Sequence, residues 1–187
     1  MTEKASSSIS SPGLLAKGLV QVFTGEGKGK TTAALGAIIR ALGHGLRVYV
    51  AFFMKGSYPY GEGSILSRLP NVTLANFGGR DFVDPARVKP AEKEQARQGL
   101  AAAREALLSG SYDLVVLDEI NLAAAWKLVK LDEVVRLIRD KPPDVELILT
   151  GRQADARLVE LADLVTEMVK IKHPYDKGVG AREGVEY

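Results

Sequence analysis

From Gly18 onward the chain alternates short apolar runs with stretches that repeat on a helical period. Residues 19–23, 47–54, 72–76, 114–117, 145–149 and 164–171 read as strands, and their near-continuous apolar character suits a sheet covered on both faces. Residues 31–42, 91–108, 131–139 and 155–162 read as helices. In the second of these, Ala96, Leu100, Ala103 and Leu107 fall at i, i+4, i+7 and i+11 and form one apolar stripe, which Ser109-Gly110 brings to a stop. Strands separated by helices of this length predict βαβ units, hence an α/β fold with a mostly parallel sheet flanked by helices.

A chain of 187 residues fits one such domain, expected at residues 18–187. Residues 1–17 are rich in serine and carry too little apolar surface to offset the entropy of ordering, so they predict a flexible tail. A formal charge of +2 is too small for the broad basic field that non-specific nucleic-acid binding requires. No cysteine occurs, which excludes disulfides, thiolate zinc sites and cysteine nucleophiles. His44 and His173 are too few for a histidine-rich metal site. The longest apolar run, residues 48–54, is far shorter than the roughly 20 residues of a membrane span, and the first residues lack a signal-peptide core. A cytoplasmic location is expected.

Directly after the first strand stands Thr24-Gly25-Glu26-Gly27-Lys28-Gly29-Lys30-Thr31-Thr32, and a helix-forming series begins at Ala33. Strand, glycine loop and helix are the setting of a P-loop, so the fold class narrows to a P-loop NTPase (RecA-like) sheet. Glycines let backbone N–H groups converge on phosphate oxygens, and the helix N-terminus adds the positive end of its dipole. Lys30 brings a full charge, and Thr31 offers a hydroxyl to a phosphate-bound Mg²⁺. Thr24 stands where the usual pattern has glycine.

The strand at residues 114–117 delivers Asp118 and Glu119 at its C-terminal end, the edge where open α/β sheets bind ligands. A carboxylate there can hold Mg²⁺ against the phosphates. If the strand continued, the two acids would face opposite sides and only one would reach the ion. These features leave open which bond of the nucleotide breaks. A kinase attacks the γ-phosphorus, whereas an alkyl transferase attacks the ribose C5′ carbon and releases the whole triphosphate.

These motifs, with Ala41-Leu42-Gly43-His44-Gly45, Phe53-Met54-Lys55-Gly56, Leu149-Thr150-Gly151-Arg152, Lys172-His173-Pro174-Tyr175-Asp176-Lys177-Gly178-Val179 and the closing Ala181-Arg182-Glu183-Gly184-Val185-Glu186-Tyr187, give the chain a close resemblance to the P-loop corrinoid adenosyltransferase family. Thr24 before Gly25 is what this family shows. The resemblance implies that cobalt(I) of a reduced corrinoid attacks C5′ of ATP and releases triphosphate, in the biosynthesis or salvage of adenosylcobalamin. By position it implies that Gly25, Glu26, Gly27, Lys28, Gly29, Lys30, Thr31 and Thr32 bind the phosphates. Thr31 and Glu119, with Asp118, would ligate Mg²⁺ or Mn²⁺. Arg40, Arg152 and His173 would complete the polar surround of ATP, and Lys30, Arg152 and His173 would carry the catalytic electrostatics. It also implies a homodimer and an electron donor such as a flavoprotein reductase. Family members place aromatic residues of the loop after the third strand on the lower face of the cobalt. Here that loop reads Phe77-Gly78-Gly79-Arg80-Asp81-Phe82-Val83, which offers Phe82 and no second aromatic nearby. Tyr58 and Tyr60 are further candidates for lining the pocket.

Overall fold

The computed structural model of the chain describes residues 15–56, 60–79 and 82–187. Six strands form one sheet: β1 (Val20–Thr24), β2 (Val48–Phe53), β3 (Val72–Phe77), β4 (Leu114–Asp118), β5 (Glu146–Thr150) and β6 (Leu164–Glu167). Their order is β3-β2-β4-β5-β1-β6, and every pairing is parallel. The α/β reading of the sequence therefore holds.

The period-two alternation of strands sends successive side chains to opposite faces. Val48, Val50 and Phe52 of β2 pack under helix α1 (Lys30–Gly43) with Ala34, Ile38 and Ala41. Tyr49, Ala51 and Phe53 enter the larger core on the other face, which also takes Leu100, Ala103 and Leu107 of α3 (Pro90–Leu108). The stripe read from the sequence is thus the buried face of α3, down to Ala96 at 4% exposure. Helices α5 (Leu131–Arg139) and α6 (Ala156–Leu161) close the same layer. Two helices that the apolar pattern did not announce are α2 (Gly61–Leu66), between α1 and α3, and α4 (Ile120–Ala125), between α3 and α5. Each has only six residues, too few for a helical period to stand out.

β6 departs from the expected extent and burial. It stops at Glu167 rather than reaching residue 171, and all four of its residues are exposed. Among the described residues it is an edge strand paired only with β1, and beyond it the Met168 carbonyl accepts the Gly27 N–H at 2.6 Å. The chain leaves the sheet there to lie against the glycine loop. Of the tail expected at residues 1–17, residues 1–14 fall outside the described residues.

Register puts the chemistry on one level. Phe23 pairs with Thr150, Leu149 with Leu117 and Phe52 with Asp118, so β1, β5, β4 and β2 end side by side. Thr150 and Asp118 are the last residues of β5 and β4, and the glycine loop, Glu119 and Lys55 follow just beyond the strand ends.

Candidate active site

Thr24 ends β1 and ties it to two neighbours: its carbonyl accepts the Met168 N–H at 2.8 Å, and its hydroxyl accepts the Ala154 N–H at 3.2 Å. The residue that departs from the usual glycine thus anchors the loop to the chain after β5. A Cβ at Gly25 or Gly27 would stand 2.6 Å from the Met168 carbonyl oxygen, and Gly25 has φ of +97°. Both glycines are needed for this close backbone approach, in addition to any contact with phosphate.

Lys30, the first residue of α1, is 7% exposed and turns its ammonium back into the loop. Nζ donates to the Gly25 and Gly27 carbonyls at 2.8 and 2.7 Å. Burial lowers its proton affinity from the ordinary lysine value, and the charge of Glu119 opposes that shift. Its two acceptors are neutral, so an anionic phosphate oxygen would compete well for it. Lys28 is committed elsewhere: its ammonium reaches the Val185 carbonyl and a Glu186 carboxylate oxygen, both at 3.0 Å. Arg182 grips the same carboxylate at 2.9 and 3.1 Å, so the C-terminal segment folds back onto the loop. Glu26 meets Arg152 at 3.3 Å, an exposed pair of small energetic weight.

Asp118 is the hub. It is 1% exposed, and its Oδ1 accepts the Thr31 and Thr150 hydroxyls at 2.9 and 2.6 Å. Its Oδ2 meets the Lys55 ammonium at 2.6 Å and, apart from that ion pair, has no partner among the described residues. The strand does not continue past Asp118, because Glu119 adopts a left-handed φ of 66° while its N–H donates to the Thr150 hydroxyl at 3.0 Å. The expected opposition of the two acids therefore does not arise, and both charges act on Lys30 and Lys55. Burial pushes the Glu119 carboxyl above its ordinary value of 4.5; the Asp118 charge adds to this, and Lys55, Lys30 and Arg152 oppose it. Burial alone would lower Lys55, but the charge of Asp118, its hydrogen bond and Glu119 prevail and hold the ammonium above the usual lysine range.

Among the described residues no group of three His, Cys, Asp or Glu side chains forms a metal cage. Glu119 Oε2 is buried with no hydrogen-bond partner among the described residues. That orphan oxygen, the Asp118 carboxylate and the Thr31 hydroxyl make an all-oxygen set. Such a set fits a Mg²⁺-type ion that fills its remaining positions with phosphate oxygens and water.

Two cavities flank this network. One of about 310 Å³ is lined by Lys28, Thr31, Thr32, Glu62, Glu186 and Tyr187. The other, about 390 Å³, has apolar walls of Phe53, Met54, Leu122 and Trp126, with Glu119 and Arg152 at its polar side. Lys55 and Tyr60 line both and form the wall between them. Phe82 lines the apolar cavity and is 80% exposed. A second aromatic, Trp126, the C-cap residue of α4, lines the same cavity.

The structure does not bring Arg40 to the loop. Ten residues after Lys30, it lies about 15 Å along α1 by the helical rise. It lines a separate cavity of about 470 Å³ with Lys17, His44 and Glu146. Arg40, expected in the polar surround of ATP, thus lines neither of the two cavities that flank the loop. His44 is the C-cap of α1, with its N–H donating to the Ala41 carbonyl at 3.0 Å. His173 caps the short 3-10 helix Pro174–Lys177: its Nδ1 accepts the Tyr175 N–H at 3.2 Å, and it lines neither flanking cavity. Tyr58 lies outside the described residues. Lys55, Thr150 and Trp126 were not singled out from sequence as site residues. For Lys55 a signal was present, since it is a charged residue just beyond the C-terminal end of an apolar strand.

Comparison with known proteins bears on what this arrangement does. Residues 16–187 match the family described as ATP:corrinoid adenosyltransferase BtuR/CobO/CobP. A corrinoid adenosyltransferase of Escherichia coli (strain K12) is 37% identical over 171 residues, covering 91% of this chain and 86% of that protein. One from Sinorhizobium sp is 37% identical over 173 residues, covering 91% of this chain and 81% of the other. The corrinoid adenosyltransferase CobA of Salmonella typhimurium (strain LT2) is 35% identical over 171 residues, with 91% and 86% covered.

Proposed function

The chain belongs to the ATP:corrinoid adenosyltransferase family, transferases that move the adenosyl group of ATP to a corrinoid, and we propose that its glycine loop holds the triphosphate as the leaving group of that transfer. The observation that carries the reading is the Lys30 ammonium buried inside the loop, on the same level as the Asp118 and Glu119 carboxylates. The cobalt(I) of a reduced corrinoid is itself the nucleophile toward C5′, so the site needs no side-chain base. What the protein supplies is orientation and stabilisation of charge on the departing phosphates.

Lys30 is assigned to the phosphates, with the N–H groups at the start of α1. Thr31, Asp118 and Glu119 would hold Mg²⁺ or Mn²⁺, which when bound offsets negative charge on the triphosphate. Arg152, between Glu26 and the apolar cavity, is assigned to the nucleotide side. Phe82 and Trp126 are assigned to the corrinoid, supported by their shared cavity and by the exposure of Phe82. His173 is assigned a structural role as the cap it already forms. A homodimer is proposed as well, supported by the exposed edge strand β6 and by Val169 and Ile171, 67% and 87% exposed just beyond it. An external one-electron donor, such as a flavoprotein reductase, completes the scheme. No helix among the described residues is long and apolar enough to cross a membrane.

The test is anaerobic incubation of the protein with Mg-ATP and chemically reduced corrinoid. The expected products are a light-sensitive organocobalt species and inorganic triphosphate. ADP in place of triphosphate would overturn the assignment and favour a phosphotransferase.

Glu119 gives an independent prediction. Its carboxyl is raised in the folded chain, so folding favours the protonated form, and ionised Glu119 weakens the folded state near neutral pH. Glu119→Gln is therefore expected to raise the thermal midpoint of the ligand-free protein near pH 7. The difference should shrink on acidification toward the ordinary value of 4.5. The same change should weaken Mg-ATP binding by about 10-fold or more, measured by calorimetry. A variant that loses stability but keeps Mg-ATP affinity would contradict both halves.

A further inference from the structure

Lys55 is pinned from both sides. Met54, before it, holds a left-handed φ of 57°, a conformation that a non-glycine residue adopts at a cost. Gly56, after it, packs so closely on the loop beyond β3 that a Cβ would overlap the Gly79 carbonyl. The bend and the packing direct the side chain into the wall between the two cavities, where it is 11% exposed. There its ammonium stands over the Tyr60 ring, 4.6 Å from the centroid, and pairs with Asp118 Oδ2 at 2.6 Å. The other oxygen of that carboxylate is taken by Thr31, the hydroxyl a phosphate-bound ion would use.

We propose that Lys55 stands in for the divalent cation in the nucleotide-free protein, neutralising the Asp118–Glu119 pair so that these acids accept a metal ion only together with phosphates. The inference deepens the reading of the acidic pair as the metal site and rests on it. Two adjacent buried carboxylates without a counter-charge would either protonate or attract any free divalent ion. A tethered ammonium removes both tendencies, and it can be exchanged when phosphate oxygens arrive with the metal. Lys55 is thus a positioning residue that couples the two ligands, and the coupling must be reciprocal: whatever nucleotide does for metal affinity, metal does for nucleotide affinity.

Mn²⁺ is the probe, titrated by electron paramagnetic resonance against the full chain, with and without a non-reactive ATP analogue. The unmutated protein should bind Mn²⁺ weakly alone and at least about 10-fold more tightly with the analogue. Lys55→Gln, which keeps a hydrogen-bond donor for Asp118, should bind Mn²⁺ alone at least about 10-fold more tightly than the unmutated protein, so that the coupling shrinks. Lys55→Arg should restore the coupling. A folded Lys55→Gln protein whose nucleotide-free Mn²⁺ affinity is unchanged overturns the proposal while leaving the metal site intact. Failure of the unmutated protein to bind Mn²⁺ even with the analogue overturns the metal reading and this inference together. Should Lys55→Gln fail to fold, the ¹⁵Nζ resonance of Lys55 in the unmutated chain decides: it should move when Mg²⁺ and analogue are added together, and an unmoved resonance sinks the idea.

Discussion

Lys30→Ala is expected to lower adenosyl transfer by at least about 10²-fold to 10³-fold, the range typical for loss of one preorganised group that meets charge developing on a leaving group. The loss should appear in kcat as well as in ATP affinity, because negative charge on the phosphates grows as the C5′ bond breaks. Stability should not fall in step. Lys30 is buried and its proton affinity is lowered, so folding disfavours the charged form, and at neutral pH the ammonium weakens the folded state rather than supporting it. As pH rises through the lowered value that penalty disappears, but so does the charge that grips phosphate. The unmutated enzyme should therefore lose ATP affinity at lower alkaline pH than an ordinary lysine would predict. A collapse in rate without a comparable fall in thermal midpoint is the expected signature of Lys30→Ala. Near-normal turnover would place the phosphates somewhere other than this loop.

Asp118→Ala should damage the fold itself. The substitution strands the Lys55 ammonium, 11% exposed, without its carboxylate, and removes the acceptor of the Thr31 and Thr150 hydroxyls. Removing one partner of a buried ion pair typically costs about 3 to 5 kcal/mol. For a chain of this size that corresponds to roughly 6 to 20 °C in thermal midpoint. The cause can be separated from the effect of the cavity left behind: Lys55→Met in the Asp118→Ala background should recover a large part of the loss, because it removes the stranded charge. If the double variant is no more stable than the single one, the ion pair is not what Asp118 contributes.

Glu119 and Lys55 illustrate how far the site could be read before its geometry was known. The glycine loop was legible because its signal is local: strand, glycines, lysine and helix start follow one another within a dozen residues, and each residue type has its own physical reason. Asp118 was legible for the same reason, at the end of an apolar strand. Glu119 was recognised, but its direction was not, because alternation assumes a continuing strand and the left-handed φ appears only once the Thr150 hydroxyl has captured its N–H. Arg40 was named from the resemblance alone, and only the helix shows that its ten residues from Lys30 span about 15 Å, to the edge of a separate cavity.

By itself, the sequence determined the class of fold, the covered faces of the central strands and longer helices, and a glycine loop of P-loop pattern. These follow from periodicity and from local chemistry, which act between residues a few positions apart. Only the tertiary structure decided which distant side chains share the site: Lys55 on Asp118 across 63 positions, Thr150 between the two acids, Trp126 in one cavity with Phe82, and the C-terminal segment on Lys28. Those meetings are set by strand order and register, which are collective outcomes of packing both faces of one sheet. No local pattern encodes which strand ends will lie side by side.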